Sequence, residues 1–169
     1  MFPDFIITEL ERNRKVFEAL LVAMPKEMCF FRPALSSWCL LEVTCHLLDE
    51  EVYDFRTRVE HALKTPNALL KPISPKTWPV DHDYLDRDFQ KVLEQFLEER
   101  TNSIIWLKGL ENVQWDNAVS HPDLGKLRAR TFLENWLAHD YLHIRQINKI
   151  KWAYLNQASN DDLDYAGNW

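Results

Sequence analysis

His139 and His143 stand four residues apart in the segment Leu133–Ile147. On a helix, that spacing projects two imidazoles from one face a single turn apart, where both can reach one metal ion. Six histidines in 169 residues would give roughly 0.2 such pairs by chance, so spacing needs support from placement. On a helical wheel His143 falls in the apolar sector of Leu137, Ile144 and Ile147, and His139 lies on its flank. Asp140 falls inside that sector too. A charge and an imidazole that face a core are costly unless each is paired or bound. The pair is therefore either a ligand set or a hydrogen-bonded core histidine beside a surface one.

A third ligand would have to come from another element. His46 is the candidate, because His61 lies about four turns farther along the same helix and His82 and His121 sit in connections. Glu42 and Glu50 flank His46 one turn to either side. It reads either as a ligand or as part of a solvated Glu–His–Glu line. The H-E-x-x-H signature of zinc proteases is absent, since Asp140 follows the first histidine of the pair. Arg100 interrupts an apolar stripe between Phe96 and Ser103. Pairing with Asp140 inside the fold would give both misplaced charges a partner; the alternative is an Arg100 that snorkels to the surface.

Four apolar-striped segments have to position these groups. The first spans about Asp4 to Met24, with Ile6, Leu10, Phe17, Leu20 and Met24 on one face. The second opens near Ser36 or Ser37, and its stripe is Leu41, Cys45, Leu48, Val52, Phe55, Val59 and Ala62. Pro66, Pro72, Pro75 and Pro79 mark an extended connection. The third follows Asp81 or Asp83 and carries Leu85, Phe89, Val92, Phe96, Ser103, Leu107 and Leu110. A loop with Pro122 and Gly125 leads to the fourth, where Thr131 and Glu134 stand in capping-box register. Its stripe is Leu133, Leu137, Ile144, Ile147 and Ile150. The expected fold is all-α, a four-helix bundle with long second and third connections over residues 1–155. A polar tail over 156–169 is given no structure.

Composition agrees. Only three residues are glycine, too few for the tight turns of a barrel or sandwich. The net charge of −6 argues against nucleic-acid partners, whose binding rests on neutralising phosphates. The longest uncharged runs are nine residues (33–41 and 152–160), against roughly 20 for a membrane helix. Asp4, Glu9 and Glu11 break any signal-peptide form. Cys29, Cys39 and Cys45 lack CxxC spacing, which implies neither a disulfide framework nor a cysteine zinc site. The expected compartment is the cytoplasm.

The segment Trp38–Glu50, WCLLEVTCHLLDE, resembles the second helix of the DinB/YfiT-like superfamily, with its W-S-x-x-E-x-x-x-H-L-x-x-x-E pattern. LENWLAHDYLHIRQI, from Leu133 to Ile147, resembles that family's fourth-helix signature H-D-x-x-H-x-x-Q-I. His121-Pro122 with Gly125 matches the approach to that helix. Cys39 departs from the family's usual serine, at a cap position. The resemblance implies a four-helix bundle with a divalent metal held by His46, His139 and His143. It also implies metal-dependent chemistry on small molecules, as in members that transfer or isomerise through low-molecular-weight thiols, and a homodimer.

An all-histidine set suits zinc, nickel or iron. Glu50 would orient His46 or act as a base, unless it is a solvated surface acid. Asp140 points about 100° away from His139 and would orient a neighbour rather than bind metal. Trp38, Trp78 and Tyr84 are the aromatics expected to wall a substrate pocket, if they are not plain packing. Two classes of function are open: a metal-dependent thiol S-transferase or hydrolase, and a non-catalytic bundle whose triad is structural, sensory or vacant.

Overall fold

The computed structural model describes residues 2–167. Four long helical rods form the expected bundle. They are α1 (Phe2–Leu21), the pair α3 (Leu40–Asp49) and α4 (Phe55–Lys64), α6 (Phe89–Lys108) and α7 (Ala129–Ala158). Single turns α2 (Lys26–Cys29) and α5 (Trp78–Asp81) lie in the connections. A five-residue π-helical stretch, Glu50–Asp54, joins α3 to α4 without a break.

The apolar stripes account for the packing. Ile6, Leu10, Phe17 and Leu21 of α1 are buried, as are Val92, Phe96 and Leu107 of α6 and Leu133, Leu137, Ile147 and Ile150 of α7. Each such side chain contributes about 1.5–3 kcal/mol when fully buried. The core falls into two clusters. Leu41, Cys45 and Leu48 of α3 belong to one, with Phe17, Phe96 and Ile147. Phe55, Val59 and Ala62 of α4 belong to the other, with Leu10, Leu107 and Trp136. The π turn lies at the crossing between them.

Helix starts differ from the expected ones for identifiable reasons. Ser37 is spent in a turn, donating its N–H to the Ala34 carbonyl and accepting from Arg32. The cap of α3 is instead Cys39, whose N–H donates to the Glu42 carboxylate at 2.9 Å. The third rod does not start after Asp81 or Asp83. Asp83 takes a left-handed conformation (φ 47°), a short 3-10 turn follows at Tyr84–Asp86, and Leu85 is exposed. The cap of α6 is Asp88, which accepts from the Lys91 N–H at 2.9 Å. At the other end of the first rod, Ala23 (φ 55°) closes α1 at Leu21, short of Met24.

The loop expected before the fourth rod is an antiparallel hairpin, β1 (Ala118–His121) with β2 (Gly125–Arg128). Gly125 takes φ +73° in its turn, a conformation that suits glycine. Residues of the second connection run along the hairpin, with Leu70 N–H donating to the Ser120 carbonyl at 2.9 Å. The hairpin approach also replaces the expected Thr131 cap. Ala129 N–H donates to the Asn117 carbonyl and Arg130 N–H to the Trp115 carbonyl, so α7 begins two residues before Thr131. Backbone carbonyls do the work of a capping side chain. At its far end α7 continues to Ala158, and the tail holds a 3-10 turn at Asp164–Ala166.

Candidate metal centre

α3 and α7 bring His46, His139 and His143 together, with one ring nitrogen of each within 4.8 Å of the others. His139 Nε2 lies 3.3 Å from His46 Nε2 and 3.0 Å from His143 Nε2. One imidazole nitrogen offers either a single N–H or a single in-plane lone pair, and so serves one such neighbour well. Three nitrogens this close are poorly satisfied by hydrogen bonds alone. Bonds of about 2.0–2.1 Å to a tetrahedral zinc would set neighbouring nitrogens roughly 3.3 Å apart. The His46–His139 spacing of 3.3 Å equals that edge and the His139–His143 spacing of 3.0 Å lies near it. The donor set fits a divalent ion.

Protonation agrees. Burial, with a smaller contribution from His143, pushes the His46 pKa down to about 3. Burial and the two neighbouring imidazoles push His139 down to about 2, and burial also lowers His143. Neutral rings keep their lone pairs for a ligand role. Packing holds the rings in place. Trp38 meets His46 edge-on at 5.0 Å between centroids, Trp78 lies 6.3 Å from it, and Phe55 sits 5.1 Å from His139. Nδ1 of His46 and of His143 is buried with no hydrogen-bond partner among the described residues.

Glu50 stands beside the cluster, its Oε1 3.6 Å from His46 Nε2. It is 6% exposed, so the surface-acid alternative does not hold. Burial pushes its pKa up to about 7, against the pull of Arg58. A divalent cation at the three nitrogens would draw it back down. Glu50 opens the π stretch, where the Phe55 N–H bonds to the Glu50 carbonyl five residues back. The wide turn carries one extra residue, and both Glu50 and Glu51 end up buried.

Behind the histidines lies a second polar set. Arg100 donates to both oxygens of Asp140, at 2.7 and 2.8 Å, and through Nε to Glu51 at 3.0 Å. Trp136 Nε1 also donates to Glu51, and Asn13 Nδ2 to Asp140. The rings of Phe96 and Trp136 lie 5.4 and 5.7 Å from the guanidinium. Burial works against the Arg100 charge, but Asp140 and Glu51 outweigh it and raise its pKa. Arg100 is thus internal, at 2% exposure, and does not snorkel. Asp140 directs both carboxylate oxygens at Arg100.

The remaining candidates scatter. His82 Nδ1–H donates to Asp49 (2.6 Å), His121 accepts from the Asp123 and Leu124 N–H groups, and His61 contacts Thr65. Tyr84 is a packing residue, fully buried and donating its O–H to Asp49 at 2.6 Å. Glu51 and Asn13 were not foreseen. Glu51 hides in the run Asp49-Glu50-Glu51, which reads as a solvated face. Asn13 had a signal, since it continues the inward register of Ile6, Leu10 and Phe17.

The fold matches that of YfiT from Bacillus subtilis, described as a probable metal-dependent hydrolase with an unusual four-helix bundle topology. The TM-score is 0.77 at 20% identity, over 88% of this chain and 85% of that one. No curated protein matches the sequence. The family model of the DinB superfamily matches residues 9–147. That span takes in α3, the π stretch and the histidine pair of α7, and the chain belongs to the DinB superfamily.

Proposed function

We propose that this protein is a metal-dependent enzyme acting on small molecules, a hydrolase or a thiol S-transferase, with His46, His139 and His143 as ligands. The observation that carries this reading is the carboxylate of Glu50 beside three converging, neutral imidazole nitrogens. Zinc, nickel or iron bound there would act as a Lewis acid, lowering the pKa of a water or thiol ligand toward neutrality. Glu50 is placed to take the proton that such a nucleophile gives up. Trp38, Trp78 and Phe55 shield the imidazoles from bulk water. The Arg100–Asp140 pair fixes α7 at the residue next to His139. YfiT's description as a probable metal-dependent hydrolase supports the hydrolytic branch.

The test is metal content measured on freshly purified protein and on His46→Ala, His139→Ala and His143→Ala, with turnover assayed on the same samples. Ester and amide panels probe hydrolysis; monobromobimane with different thiols probes transfer. Stoichiometric metal lost in each variant, with turnover abolished by a chelator, is expected. Metal-free wild type, or metal kept by all three variants, would overturn the site. Bound metal without turnover would favour a sensory or structural triad.

A further inference from the structure

Glu50, Asp54, Arg58 and His61 follow one another along the same side of the continuous rod, leading away from the three imidazoles. Arg58 lies eight residues beyond Glu50, or roughly 12 Å of axial rise, which its side chain shortens by reaching back toward Asp54. Two clefts flank this line. One, of about 380 Å³, lies toward the hairpin and has His139, Phe55, Phe132 and Leu124 in its wall. The other, of about 480 Å³, lies toward the second connection and includes Tyr53, His61 and Lys71. Arg58 lines both.

Arg58 is only 9% exposed. Its Nε edge pairs with Asp54, and Phe132 lies 6.0 Å from the guanidinium. Nη1 and Nη2 make no hydrogen bond among the described residues and are not buried as Nε is, so the forked end keeps contact with the solvent of the clefts. His61 Nε2, at the second cleft, is buried with no hydrogen-bond partner among the described residues. A largely buried guanidinium, paired at Nε and with its forked end open to a cleft, presents that end to a bidentate acceptor.

We propose that Arg58 is the anion anchor of the substrate groove, and that the substrate is a small carboxylic acid whose apolar body lies against Phe55 and Phe132. This rests on the metal-site reading for the location of the reacting end, though not for the anchor. A planar monoanion suits the fork of Nη1 and Nη2. A phosphate dianion would set two charges beside Asp54 and Glu50, and is disfavoured by the same geometry. The apolar walls take the remainder of the molecule, as most small-molecule sites do.

The test compares 4-phenylbutyrate with 4-phenylbutanamide, which share a body and differ in charge. Affinities are measured by calorimetry on wild type as purified, on His139→Ala and on Arg58→Met. Wild type should prefer the acid by at least tenfold, His139→Ala should keep that preference, and Arg58→Met should lose it. Equal binding of the two probes to wild type would overturn the anchor, and so would a preference that survives Arg58→Met. A preference lost in His139→Ala would assign the carboxylate to the ion instead, and also overturn it. Should Arg58→Met fold poorly, the guanidinium ¹⁵N signals of Arg58 in wild type give the same answer. They should shift with the acid and not with the amide; no shift with the acid overturns the proposal. Metal retained by His46→Ala, His139→Ala and His143→Ala alike would refute the metal site while leaving the Arg58 result intact.

Discussion

The Arg100 guanidinium grips both carboxylate oxygens of Asp140, and Asp140 is the residue that follows His139. A pair this deep gains its attraction against a large desolvation cost, so removing one partner is more damaging than the pair is worth. Asp140→Asn is expected to destabilise the fold by about 3–5 kcal/mol, because Arg100 keeps only Glu51 as a charged partner. Urea unfolding of Asp140→Asn and Arg100→Met checks this. Wild-type stability in both variants would remove the pair as a determinant of the fold.

Metal should stabilise the folded chain by mass action. At a free concentration 100 times its Kd, a bound ion adds about 2.7 kcal/mol. For a chain of this size that raises Tm by roughly 5–11 °C. Thermal scans with added zinc, nickel or iron are expected to show the rise in wild type and not in His46→Ala, His139→Ala or His143→Ala. An equal rise in all four proteins would place the binding elsewhere.

Glu50→Gln separates the base from the ligands. Turnover is expected to fall by about 10²–10⁴-fold. Metal content should stay at the wild-type level, because the three imidazoles remain. Unfolding should show stability unchanged or higher, since a buried carboxylate has become a neutral amide. Loss of metal in this variant would make Glu50 a ligand.

The buried Cys29 thiol makes stability depend on alkaline pH. Burial pushes its pKa up from about 9 to about 11, so the folded chain resists forming the thiolate. Between those values the unfolded chain binds fewer protons. The Cys29 contribution is therefore complete below pH 9 and is lost as pH rises toward 11, at up to about 1.4 kcal/mol per pH unit. Unfolding free energies across that window should fall less steeply for Cys29→Ala than for wild type. Identical slopes would show that the thiol does not titrate differently on folding.

The histidine pair was legible because an i, i+4 spacing is a property of the chain itself. Arg100 and Asp140 were legible as charges standing where apolar residues were due. Glu51 was not, because its burial depends on a widened turn that a 3.6-residue period cannot register. The start of α7 escaped for a different reason: its capping groups are carbonyls of Trp115 and Asn117, supplied by a hairpin whose strands are only four residues each. Asp83 likewise ends one path and starts another through a backbone angle that its side chain does not announce.

The widened turn at Glu50–Asp54 also has a mechanical consequence. The rod before it is packed into one cluster and the rod after it into the other, so any bending of this rod is expected at the joint. Glu50 rides on the joint while the histidine pair rides on the unbroken α7. Flexing there would change the gap between the Glu50 carboxylate and the imidazoles of α7. Faster amide exchange across residues 50–55 than in the turns on either side is the expected signature; uniform protection along the rod would show a joint that does not move.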